Sequence, residues 1–163
     1  MSLRLRPQVQ AVSRQTQLAS ISELQAIHVA AGILRDASGR VLITERLGDS
    51  SFAGLWEFPG GKISPGETAK SALARELYEE LGIAIEKCEH FMSVDHNYSD
   101  RSVVIEFYLV TGWQSAPTGL EGQAIRWIEP EMLNSDELLP ADVPVLMALR
   151  ASKEAIRKCL SET

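Results

Sequence analysis

The sequence predicts an α/β (α+β) domain in which a mixed β-sheet lies between helices. Three observations predict it. Apolar runs of strand length, rich in β-branched residues, recur between residues 26 and 128 with turn residues between them. One helix with a regular leucine stripe interrupts these runs, and a second helix closes the chain. Strands and helices do not alternate strictly as βαβ units, so the sheet is expected to be mixed rather than all parallel.

The elements follow in order. Residues 26–35, AIHVAAGILR, read as a central strand. Asp36-Ala37-Ser38-Gly39 is a turn, and VLITER (41–46) completes an expected hairpin. LGDSSFAG (47–54) reads as a loop, and LWEF (55–58) as a short strand ended by Pro59-Gly60-Gly61. Thr68 suits a helix N-cap, Leu73, Leu77 and Leu81 form one stripe, and Gly82 stands where a C-terminal glycine belongs. Residues 89–95, 102–111 and 123–128 read as strands, and a last helix spans about Val143 to Leu160. No repeat or low-complexity linker divides the chain. Residues 26–160 are expected to form one domain, which 163 residues suit.

Ahead of it, residues 1–25 read as an N-terminal extension. Its first 22 residues carry three Arg and no acid, a composition shared with organellar transit peptides, although a plain polar extension is the simpler reading. A net charge of −6 argues against binding polymeric nucleic acid, which favours a basic surface, but leaves a mononucleotide open. No apolar run approaches the roughly 18 residues of a membrane span. Cys88 and Cys159 have no zinc spacing or disulfide framework, so a cytoplasmic location is expected. His28, His90 and His96 read as structural or surface residues. Neither a monomer nor a homodimer is favoured.

The stretch Arg75-Glu76-Leu77-Tyr78-Glu79-Glu80-Leu81-Gly82 carries the chemistry. At about 100° per residue, Glu76, Glu79 and Glu80 share an arc of roughly 100° beside the leucine stripe. Like charges at these spacings repel by roughly 0.2–0.5 kcal/mol per pair, and the helix C-terminus is itself partly negative. A solvated Glu-rich face is one reading. The other is a divalent cation, which reverses both penalties; clustered Glu without clustered His or Cys points to Mg²⁺ or Mn²⁺ rather than zinc.

The surrounding GKISPGETAKSALARELYEELGI (61–83) resembles the Nudix box, with Gly61, Glu67, Arg75, Glu76, Leu77, Glu79, Glu80, Gly82 and Ile83 at every fixed position. FAGLWEFPGGK, YSDRS and LEGQ extend the resemblance to the MutT branch over roughly residues 27–150. The resemblance implies a Nudix α/β/α sandwich and Mg²⁺- or Mn²⁺-dependent hydrolysis of a nucleoside triphosphate to monophosphate and pyrophosphate. Implied metal ligands are the Gly60 carbonyl, Glu76, Glu79, Glu80 and Glu121. Glu76 is the candidate general base, followed by Glu121 and Glu67, although Glu67 with Arg75 reads better as an orienting ion pair. Glu121 sits in a Gly119–Gly122 loop free to swing towards phosphate; without the resemblance it reads as an exposed acid.

Substrate contacts are expected from Lys62 on phosphate, from Arg46, at the position where the resemblance implies an arginine for the nucleotide, and from Phe58 and Tyr98 as aromatic walls, with Asp100 and Arg101 closing over the base. The alternative for such aromatics is ordinary core. Asp142, in PADVPV, stands where the guanine-reading branch member has Asn. An amide both donates and accepts, whereas an ionised carboxylate only accepts. Asp142 also suits the N-cap of the last helix. The leading expectation is therefore a MutT-like enzyme acting on 8-oxo-dGTP to clean the nucleotide pool. The alternatives are a CTP or modified-dCTP pyrophosphohydrolase, a dinucleotide-cleaving relative, or a nucleotide-binding Nudix module without catalysis.

Overall fold

The computed structural model describes residues 26–48 and 52–161, with side chains to residue 153. The expected extension, residues 1–25, lies outside the described residues, as do residues 49–51 of the expected loop. The described strands are β1 (Ile27–Leu34), β2 (Val41–Glu45), β3 (Trp56–Glu57), β4 (Gly60–Lys62), β5 (Ala84–Asn97), β6 (Ser102–Gln114) and β7 (Ile125–Ile128). Two α-helices accompany them, α1 (Ala69–Leu81) and α2 (Val143–Ser161).

The strands form two sheets, ordered β4-β1-β6-β5 and β3-β2-β7. In the larger one, β1 runs parallel to β6 from Ile27↔Val103 to Leu34↔Val110 and antiparallel to β4. Side-chain alternation along these strands builds two cores. Ala31, Ile33, Ile105 and Phe107 pack with Val145, Leu146 and Leu149 of α2. Ala30, Leu34, Tyr108 and Val110 pack with Leu73, Leu77 and Leu81 of α1. In β2, Leu42 joins the α1 side while Val41 and Ile43 join the α2 side, so the same two cores run under both sheets. The expected mixed arrangement between helices is thus present, in two sheets rather than one.

The leucine stripe is the reason α1 docks. All three leucines are fully buried, each contributing roughly 1.5–3 kcal/mol of transfer free energy. Close approach depends on Gly32, where an added Cβ would sit 3.0 Å from Leu77 Cδ1. The helix starts where Thr68 Oγ1 accepts the Ser71 N–H at 3.1 Å. It stops at Gly82, whose φ of 70° places it in the left-handed region.

Two expectations need correction. β1 and β2 do not form a hairpin. The turn itself is well made, with Asp36 Oδ1 accepting the Ser38 and Arg40 N–H groups, but the strands meet only at Arg35↔Val41. Both edges of β1 are already taken by β4 and β6, so β2 pairs with β3 and β7 instead. Gly60-Gly61 does not simply end a strand either: it begins β4, where Ala31↔Gly60 and Ala30↔Gly61 are registered pairs. β5 is also longer than expected, because β6 offers partners from Ala84↔Gln114 to Asn97↔Ser102, with bulges absorbing the irregular register.

Candidate active site

Arg75 organises the carboxylate end of α1. Glu67 lies in the loop before the helix, and Arg75 donates to both its oxygens, Nε to Oε1 at 3.0 Å and Nη2 to Oε2 at 2.9 Å. Nη1 of Arg75 reaches Glu76 Oε1 at 2.7 Å, and Nη2 also donates to the Lys62 carbonyl at 3.1 Å. These bonds hold the Glu67 carboxyl below the usual carboxylate range and raise the guanidinium further above its own. Glu76 is thereby laid against β4, its carboxyl filling the space that a Cβ on Gly61 would occupy. At Gly60 an added Cβ would strike the Ala30 carbonyl oxygen, so this backbone approaches its neighbours as only glycine can.

Glu80 and Gly60 line the same cavity wall. Burial pushes the Glu80 carboxyl up to about 8, and the negative Glu121, Glu76 and Glu57 push in the same direction. Glu121 belongs to a loop fastened to the C-terminus of α1. Leu120 N and Gln123 Nε2 donate to the Glu80 carbonyl at 2.9 and 3.0 Å, and Thr118 N donates to the Leu81 carbonyl at 3.0 Å. Gln123 Oε1 accepts from Glu121 N at 2.9 Å. These bonds satisfy carbonyls that a helix end leaves without partners. The loop expected to swing is thus tied down by its backbone.

One cavity of about 430 Å³ is lined by Glu76, Glu80, Gly60, Gly61 and Lys62, and equally by Arg46, Phe58, Tyr98, Arg101 and Asp142. A smaller one of about 170 Å³ adds Glu121. Both share Arg46, Glu57, Gly60 and Glu80. Two expected residues are not brought in. Glu79 lines neither cavity; its side chain is 55% exposed, with Arg75 Nη1 at 3.5 Å. Asp100 is exposed on the surface, 3.2 Å from Arg101 Nη1.

Phe58 is mostly core: it is 3% exposed and packs edge-to-face on Phe107. The more open aromatic wall is Tyr98, which has Phe52 at 5.1 Å and the Arg101 guanidinium over its ring at 5.5 Å. Asp142 is 4% exposed, and its Oδ2 accepts the Phe58 N–H at 2.9 Å. It does not cap α2 as expected. It lies in a 3-10 turn, Pro140–Asp142, that runs directly into the helix, and its carboxyl turns to Phe58 instead. Burial pushes that carboxyl up to about 8, with Glu57 adding to the effect and the Phe58 N–H and Arg46 opposing it.

A NUDIX domain model matches residues 30–148. The chain belongs to the Nudix family. This Nudix protein is 38% identical over 127 residues to the 8-oxo-dGTP diphosphatase of Escherichia coli K12, a match covering 78% of the chain and 98% of the relative. It is also 38% identical over 135 residues to the CTP pyrophosphohydrolase of the same organism, covering 81% and 99%. A solved MutT structure, from work on the Aliivibrio salmonicida and Vibrio cholerae proteins, matches at TM-score 0.65 and 34% identity, covering 77% of this chain and 96% of its own.

Nudix hydrolases generally need divalent metal ions. The donor set of this Nudix protein suits one: hard carboxylate oxygens on Glu76, Glu80 and Glu121 beside the Gly60–Gly61 backbone, with Glu80 pushed up by burial and then by its like-charged neighbours. Their side chains have not closed on one point, since among the described residues no three His, Cys, Asp or Glu converge as a metal cluster.

Two participants escaped the sequence reading. Glu57 is half-buried in the seam between the two cavities and holds Arg46 Nη1 with both oxygens, at 3.2 and 2.9 Å. Burial raises its carboxyl, against the pull of Arg46. The signal available was an acid inside the apolar strand LWEF. Gln123, the fastener of the Glu121 loop, read as the end of LEGQ and the start of a strand, with no role of its own. The three histidines line neither cavity; His90 sits on the exposed sheet face, 2.7 Å from Glu106.

Proposed function

We propose that the protein is a Mg²⁺- or Mn²⁺-dependent hydrolase that cleaves a nucleoside triphosphate to the monophosphate and pyrophosphate, with 8-oxo-dGTP as its leading substrate. The observation that carries this reading is the single cavity lined both by the Glu76–Glu80 carboxylates and by Tyr98, Arg101 and Asp142. A nucleotide needs both, a metal-binding wall for its phosphates and an aromatic, hydrogen-bonding wall for its base.

Water attacks an inner phosphorus, a new P–O bond forms, the anhydride bond breaks and pyrophosphate departs. A divalent ion bound by Glu76, Glu79, Glu80, Glu121 and the Gly60 carbonyl would supply charge neutralisation and an acidified water. Glu76 accepts the proton of the attacking water. Glu67 is the weaker candidate, because Arg75 engages both its oxygens and lowers its basicity. Arg75 and Glu67 orient Glu76. Lys62 and Arg46 meet phosphate, Arg46 from its seat on Glu57. The setting is the cytoplasm, which suits Cys88 as a free thiol.

A second reading, a cytosine nucleotide as substrate, is favoured by the match to a CTP pyrophosphohydrolase. Pyrophosphate release with Mg²⁺ across 8-oxo-dGTP, dGTP, dCTP, CTP, 5-hydroxy-dCTP and ADP-ribose decides between them. Preference for 8-oxo-dGTP over dGTP supports pool sanitation, preference for the cytosine nucleotides supports the second reading, and silence across the panel defeats both.

A further inference from the structure

We propose that Asp142 reads the base as a neutral acid, with Oδ2 fixed by the Phe58 N–H and Oδ1 carrying a proton into the cavity. In that form it donates to a base carbonyl; stripped of the proton, it accepts from a base amino group. This rests on the nucleotide reading above and names the base edge which that site selects.

The geometry points to it in three steps. First, Asp142 is almost wholly enclosed and has no salt bridge among the described residues. The charged and titratable groups that face it are Glu57 from β3, Arg46 beyond β2, and Tyr98 beyond β5 with Arg101 stacked on it. Arg101 is engaged by Asp100 and Arg46 by both oxygens of Glu57. The half-buried Glu57 and the enclosed Asp142 thus face one committed guanidinium, and the enclosed carboxyl without a cation is the one that keeps its proton. The upward shift of Asp142 agrees.

Second, the two oxygens are not equivalent. Oδ2 receives a backbone N–H and so acts as the carbonyl oxygen; the proton belongs on Oδ1. Oδ1 has no partner among the described residues, and Asp142 lines the cavity. Third, an asparagine placed here would give its oxygen to the Phe58 N–H and point its NH₂ into the cavity. Neutral Asp142 therefore has the polarity of an amide, and the ionised form has the reverse.

The test compares wild type with Asp142→Asn from about pH 6.5 to 9.5, using 8-oxo-dGTP (carbonyl edge) and dCTP (amino edge). The readout is the ratio of their kcat/KM values, in which catalytic groups common to both substrates cancel. Wild type should lose at least roughly tenfold in that ratio as the proton leaves, one factor of ten per unit of pKa difference between the two complexes. The variant should keep the carbonyl preference at every pH; ionisation of the base itself appears in both proteins alike. Identical pH profiles in the two proteins would overturn the proposal.

Two further measurements on the metal-free protein are independent of turnover: carbon NMR titration of the Asp142 carboxyl, and binding of 8-oxo-dGMP and dCMP across the same range. An Asp142 that titrates in the ordinary carboxylate range overturns the proposal even in an active enzyme. A protein that hydrolyses neither triphosphate sinks the proposed activity, while the titration and the monophosphate binding still decide on Asp142.

Discussion

Replacing Gly61 by alanine should separate folding from catalysis. The new Cβ would fall inside the carboxyl group of Glu76, the far end of a flexible side chain. Gly61 is not among the residues of positive φ, so the backbone accepts alanine without strain. The carboxyl must retreat by about 1 Å or more to reach ordinary contact, a displacement that costs on the order of 10²-fold in rate for a group at the reacting centre. That corresponds to about 2.7 kcal/mol on the barrier. Folding should hardly notice. A shifted Glu76 rotamer costs about 0.5–1.5 kcal/mol, and alanine returns about 0.4–1 kcal/mol through the unfolded chain. Melting should therefore stay within a few degrees of wild type. Gly60→Ala is the control: its Cβ would meet the Ala30 carbonyl and Ala31 Cα of the central strand, which cannot give way, at φ +154°. A loss of about 3 kcal/mol or more is expected there. The assays are thermal unfolding and Mg²⁺-dependent pyrophosphate release. If Gly61→Ala folds and turns over like wild type, the placement of Glu76 against β4 is irrelevant to the chemistry and the site has been misassigned.

The remaining expectations concern single residues. Leu77→Ala empties a fully buried position under α1 and should cost about 3–5 kcal/mol by urea denaturation. Glu79→Gln should leave the melting temperature unchanged, since Glu79 is half-exposed, yet lower Mg²⁺-dependent turnover by at least roughly tenfold; wild-type rates would remove it from the metal ligands. Asp142 also predicts a pH dependence of stability. Its folded pKa, about 8, is raised above the ordinary aspartate value of 3.8, so its contribution is fully present below the latter and disappears as pH rises through the former. Without metal, wild type should lose stability relative to Asp142→Asn by at most about 1.4 kcal/mol per pH unit across that window. Parallel stability curves between pH 5 and pH 9 would refute the burial argument.

What the sequence revealed and what it hid divide along physical lines. Thr68, the leucine stripe and Gly82 act through neighbours within a turn or two, and they fixed α1 to within a residue. The spacing of Glu67 and Arg75 allowed the ion pair once Glu67 was placed in the loop, where it lies. Partner choice was not local. Asp36–Arg40 makes a sound turn, yet β1 and β2 part because distant strands compete for their edges. Likewise the strand pairing of Gly60–Lys62 comes from β1 alone, since glycine carries no strand signal of its own. The setting of Asp142 was hidden for a related reason: the Phe58 N–H that meets it comes from 84 residues away.

The parallel pairing of β1 with β6 has a consequence for how the chain is made. Residues 27–34 find their main partners at 103–110, so the contacts that close the central sheet span about half the sequence. Such high contact order slows folding and delays it until late in synthesis. A nascent chain stopped at residue 101 already contains the entire carboxylate helix, but β1 then has only the three residues of β4 to pair with. Its apolar faces stay open to chaperones and to aggregation until β6 leaves the ribosome.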